Sequence, residues 1–103
     1  MTLEELKTKC EEQGFQYAYG LFKTPTEPPH LVTISRETDN FIADNKVYQK
    51  QTPIQMDYTY IEKNQEDQDK IENNILGEIP WNKTEETYLP DEDVWQVSYF
   101  FNI

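Results

Sequence analysis

The chain holds one histidine and one cysteine, the side chains most readily recruited for metal, acid–base or nucleophilic chemistry near neutral pH. His30 ends the proline-rich stretch TPTEPPH and is expected to be a loop residue. With no second histidine, a zinc site or a catalytic triad lacks its parts. Cys10 falls on the apolar side of an N-terminal helical pattern, beside Glu11 and Glu12. Neighbouring carboxylates raise a thiol pKa, so this cysteine reads as packed rather than nucleophilic. Glu66, Asp67 and Asp69 open a second helical pattern, where acids complement the macrodipole. Asp91, Glu92 and Asp93 form a turn. Neither run has the alternating acids, central glycine and closing glutamate of a calcium loop. Three glycines make no phosphate cradle. Carboxylate spacing alone leaves glycosidase chemistry open, but nothing gathers acids around a sugar-binding aromatic platform. The residues therefore predict no enzyme, no metal and no cofactor.

The stretch DNFIADNKVYQK, residues 39–50, is too polar for a core and too patterned for a linker. It has no nucleophile or base. Asp and Asn tolerate positive φ, so Asp44, Asn45 and Lys46 suit a tight connection between 41–43 and 47–49. Phe41 and Tyr48 would anchor the stem. The tip would be free to touch a neighbour.

These residues need elements to position them. Thr2 and Glu5 make a capping box for a helix over 2–13, with Leu3, Leu6 and Cys10 on one face and Gly14 as the stop. FQYAYGLF, residues 15–22, alternates as a strand. Further strands are predicted over 31–37 and 51–63, the latter with Ile54, Met56, Tyr58 and Tyr60 on one face. Asn64 caps a helix over 65–76 whose apolar face is Ile71, Ile75 and Leu76, and Gly77 ends it. Residues 79–88 read as a polar edge strand with Ile79 and Trp81 inward. PDED, residues 90–93, is a turn. The clearest alternation is 94–103, where Trp95, Val97, Tyr99, Phe101 and Ile103 share a face. The order predicts one α+β domain over 1–103, with an antiparallel (or mixed) sheet of five to six strands and two helices on one face.

Composition narrows the function. The net charge is −11, from 20 acids and 9 bases. Phosphate affinity comes from counterions released at Lys and Arg, so nucleic-acid binding and anionic lipid surfaces are disfavoured. No apolar run approaches the roughly 20 residues of a membrane span. The N-terminus is acidic and lacks an apolar core, so no signal peptide is expected. The lone cysteine fits a reducing cytoplasm, or an assembly without covalent staples. Aromatics make up 14% of the chain against 36% hydrophobic residues in all. Two readings of that load stand side by side. In one, aromatics compensate for few Leu and Val residues. In the other, Phe22, Tyr48 and Phe100, on the second face of their strands, meet neighbouring subunits, where aromatics are enriched.

YAYGLF, the Pro-Pro pair, DNFIADNKVYQK, the tyrosine-bearing strand, the acidic helix and the closing aromatic strand together resemble a family. It is that of the small tail-completion proteins of long-tailed phages and prophages of Gram-positive bacteria, also called tail-terminator or tail-to-head joining proteins. The resemblance runs from about Phe15 to the end. It rests most on Asp39, Asn40, Phe41, Ala43, Asp44, Val47 and Tyr48; His30 departs from the aromatic expected after Pro-Pro. It implies a hexameric ring at the head-proximal end of the tail tube, touching the major tail-tube protein on one side and the neck on the other. Such a protein would fold in the host cytoplasm, join the virion and pass DNA without binding it. Phe22, Phe41, Asp44, Asn45, Lys46, Tyr48 and Phe100 are the candidate interface residues. The charge also suits a different class, an acidic phage protein that mimics DNA to inhibit a host nuclease or restriction enzyme.

Overall fold

The computed structural model describes residues 1–36 and 52–103. The expected hairpin of DNFIADNKVYQK, with Phe41, Asp44, Asn45, Lys46 and Tyr48, lies outside the described residues. The first element is helix α1, Leu3–Glu12. Both capping-box bonds form: Thr2 Oγ1 accepts from the Glu5 N–H at 3.1 Å, and Glu5 Oε1 accepts from the Thr2 N–H at 2.8 Å. Leu6 and Cys10 are its buried residues, and Gly14 takes φ of 87° just beyond the end, a conformation that costs other residues about 1–2 kcal/mol.

Strands β1 (Gln16–Tyr19), β2 (His30–Ser35) and β3 (Pro53–Tyr60) follow. Helix α2, Gln65–Asp69, runs on as a π-helical turn, Lys70–Ile75. Then come β4 (Trp81–Lys83), β5 (Thr87–Leu89) and β6 (Val94–Asn102). The fold is α+β, and the six strands of the described residues make one sheet in the order β1-β2-β3-β6-β4, with β5 also paired to β6. The sheet is mixed, because β1 lies parallel to β2 while the remaining pairs are antiparallel. The predicted first strand is cut short at Gly20, whose φ of 88° turns the chain out. Residues 20–29 then carry it back to start β2 alongside β1. Their prolines at 25, 28 and 29 keep this crossover out of the ladder.

Alternation sorts the sheet residues cleanly. Leu31, Thr33, Ile54, Met56, Tyr58, Tyr60, Val97, Tyr99 and Phe101 are buried on one face. They form one cluster with Leu6 and Cys10 of α1 and with Ile71, Ile75 and Leu76 of the second helical segment. The predicted second helix keeps its span but changes its winding. Ile71 O accepts from the Leu76 N–H at 2.9 Å, a five-residue bond. A π turn brings residues five apart to one side, so Ile71 and Leu76 are both buried.

The polar edge strand expected over 79–88 is interrupted. Lys83 pairs with Tyr99 and Thr87 with Gln96, so residues 84–86 face only 97 and 98. This is a β-bulge. Thr84 repairs the ladder: its N–H donates to Ser98 O at 3.0 Å, and its Oγ1 accepts from the Ser98 N–H at 3.1 Å. A bulge also blunts an edge against unwanted strand pairing.

Candidate functional site

The site begins with the frame that holds the sheet. Three buried tyrosines reach carboxylates. Tyr58 donates to Asp67 at 3.1 Å and Tyr99 to Glu72 at 2.8 Å, while Tyr60 donates to Glu86. Asp67 sits in the first turn of α2, where Asn64 Oδ1 accepts from the Glu66 and Asp67 N–H groups. Glu72 also accepts from Lys83 at 2.7 Å, and Lys63 lies 3.3 Å from Glu86. Burial first, and the facing carboxylates second, push all three phenols well above the usual tyrosine pKa. The fold therefore favours the neutral phenol. The stability this gives is complete below the unfolded value of about 10 and is lost as pH rises toward the folded values. In an alkaline titration, phenolate absorbance from Tyr58, Tyr60 and Tyr99 should rise only together with loss of the circular-dichroism signal. Seven tyrosines ionising near pH 10 with the fold intact would contradict this network.

Cys10 is fully buried, and burial, helped by Glu11, lifts its thiol to about 12. The packed reading of this residue agrees with its surroundings. A disulfide reagent at mildly alkaline pH should leave the folded chain unlabelled and label it once urea is added; labelling of the native chain at the unfolded rate would show that the helix opens.

The opposite face of the sheet is different. Its strand positions include His30, Val32 and Ile34 on β2, Gln55, Asp57 and Thr59 on β3, and Gln96, Ser98 and Phe100 on β6. Among the described positions of this face only Val94 is buried. One end is closed by the crossover: Thr26 and Pro28, with His30, Thr59, Leu89, Val94, Gln96 and the carboxylate-bearing Glu92 of the β5–β6 turn, line a pocket of about 310 Å³. Phe22 lies against the His30 ring there, with centroids 5.1 Å apart. Beyond that end, Val32, Ile34 and Phe100 are left half-buried or exposed.

This face is nearly free of charge. Asp57 is the sole carboxylate at its described strand positions. Ser98 Oγ donates to Asp57 at 2.6 Å and Gln55 Nε2 donates at 2.9 Å, so its charge is satisfied within the face. The Arg36 guanidinium stacks 5.0 Å over the Phe100 ring. In a chain of net charge −11, such a surface is where a like-charged copy meets least repulsion.

No family model, curated protein or solved structure matches the chain. The site must therefore be judged on its own geometry. Of the residues expected at an interface, Phe22 and Phe100 are both brought to the open face. They sit at opposite ends of it, Phe22 at the crossover and Phe100 beside Arg36. Phe22 is not a strand residue, since β1 ends at Tyr19. His30 is corrected from loop to first residue of β2. Its Nδ1 is buried without a partner among the described residues, and burial holds the imidazole below its ordinary pKa.

Sequence reading missed Val32, Ile34 and Arg36 on this face. The signal was present, because Val32 and Ile34 alternate with buried Leu31 and Thr33; what was missing was the knowledge that no other described element covers the second side. Among the described residues no group of three metal-ligating side chains gathers, and no helix is long and apolar enough to cross a membrane.

Proposed function

We propose that the chain is a structural virion protein, a tail-terminator or tail-to-head joining component whose copies close into a ring at the head-proximal end of the tail tube. The family resemblance suggests a hexamer. The observation that carries the reading is a sheet face that the described residues leave uncovered and whose strand positions bear little charge, with Val32, Ile34, Phe22 and Phe100 on it. In a closed ring this face packs against a different surface of the next copy, while acidic surfaces turn toward the lumen and toward solvent. Within a Debye length of about 8–10 Å such a lumen repels phosphates, so DNA slides without adhering. No side chain is assigned a bond-making step. The protein folds in the host cytoplasm and ends in the neck of the virion, between the tail-tube protein and the head-completion protein.

The rival reading, a DNA mimic, needs carboxylates free to stand in for phosphates. Asp67, Glu72 and Glu86 are instead engaged by Tyr58, Tyr99 and Tyr60, which favours the ring. Negative-stain images of particles assembled without the protein test the proposal. Tails of uncontrolled length, or heads and tails left unjoined, are expected. Normal joined virions would overturn it.

A further inference from the structure

One aromatic row crosses the sheet on the core side and runs out into solvent. Tyr60 of β3 is opposite Trp95 of β6, and Trp95 is opposite Tyr88 of β5. Tyr60 is buried, but Trp95 is 39% exposed and Tyr88 43%. Alternation puts Trp95 on the same face as Val97, Tyr99 and Phe101, yet no helix covers it fully. The two exposed rings stand 5.3 Å apart with their planes inclined by 54°. Tyr88 is held in place by its hydroxyl, which donates to Asp93 Oδ1 at 2.6 Å. Asp93 in turn is fixed by the β5–β6 turn, where its N–H donates to Leu89 O at 2.8 Å.

We propose that Trp95 and Tyr88 form a docking site for an arginine or lysine side chain on a basic segment of a partner protein. Indole and phenol faces attract a cation through their ring quadrupoles, Trp most strongly. The surroundings supply matching charge. Asp91 and Asp93 lie in the turn that follows β5, and Glu86 precedes that strand and binds Tyr60 of the same row. Among the described residues Lys63 is the base that pairs with Glu86. The site thus joins two pre-set aromatic faces to an excess of carboxylates, which steer a basic partner at long range. A neutral sugar would want rings that lie flat as one platform, and these are inclined. A second copy of this chain, with 20 acids to 9 bases, is a poor source of the segment. This site is separate from the open face assigned to self-contact, so either can fail without the other.

The probe is a fluorescein-labelled, amidated hexa-arginine peptide; the chain and each variant are titrated into it at fixed salt and read by the anisotropy of the peptide label, and in the unaltered chain the indole N–H resonance of Trp95 is followed as well. Trp95→Thr and Tyr88→Thr keep strand propensity, and circular dichroism checks their folds. Each should weaken binding about fivefold, and the pair together roughly twentyfold. Glu11→Gln with Glu12→Gln on α1 removes charge elsewhere and should weaken it by no more than about twofold. Equal affinity of the aromatic variants and the unaltered chain would overturn the site. So would an equal loss in the α1 control, or saturation of the same Trp95 shift by neutral maltohexaose.

Discussion

Tyr99→Ala should remove about 3–5 kcal/mol of folding free energy, the range for deleting a large buried ring. Total stability of a domain this size is about 5–15 kcal/mol, so the variant should be partly unfolded or close to it. Tyr99 is fully buried and sits at the centre of the sheet, opposite Met56 of β3 and Lys83 of β4. Its ring meets Trp81 edge-on at 5.6 Å, and its hydroxyl binds Glu72. Tyr99→Phe keeps the ring and loses only that bond. It should cost about 1–2 kcal/mol, because Glu72 still accepts from Lys83. Urea midpoints with unchanged slopes would give both values. Similar, small losses for the two variants would mean that the central strands are not the core they are taken to be.

Phe100→Asp should leave the fold almost intact and prevent ring assembly. The ring of Phe100 is half-buried on the open face under Arg36, so folding stability should change by less than about 1 kcal/mol. In a contact between copies, an aromatic anchor is worth about 2–4 kcal/mol, roughly 30- to 1,000-fold in affinity. The substitution also adds a desolvated charge to a surface that carries one satisfied carboxylate. Every subunit contact in a closed ring would lose this amount. Sedimentation of the folded variant, alone and with isolated tail tubes, should show no ring. Rings formed at the concentration that suffices for the unaltered chain would place subunit contacts elsewhere.

The difference between those two neighbouring residues shows how much of the fold was legible. Period-two alternation in 53–60 and 94–102 sorted the two faces, except that Trp95 is exposed and Val94 is buried, and Thr2 with Glu5 marked the helix start. These are local signals, set by pleat and capping chemistry. The parallel pairing of β1 with β2 was not legible, because proline-rich loops say where strands stop and not which way the next one runs. The π turn was hidden in a helical pattern. Ile71, Ile75 and Leu76 looked like a thin apolar α-helical face, when the five-residue step from Ile71 to Leu76 was a different winding. Tyr58, Tyr60 and Tyr99 were read as apolar area, and the carboxylates they bind were read as helix-start and surface charge. Pairing the two needed the register of β3, β6 and the bulge. On the open face, Phe22 and Phe100 were singled out from aromatic surplus alone. Val32 and Ile34 were passed over because a single strand does not reveal whether its second side is covered.

The most direct test places a benzoylphenylalanine photo-crosslinker at position 100 and irradiates particles during assembly. Mass spectrometry of the adducts then names whatever lies against the open sheet face. The expected product is a ladder of this chain joined to itself, through peptides of the next copy that lie outside this face. Adducts formed with a host nuclease alone, or none with a second copy in finished virions, would contradict the claim that this face holds a ring together.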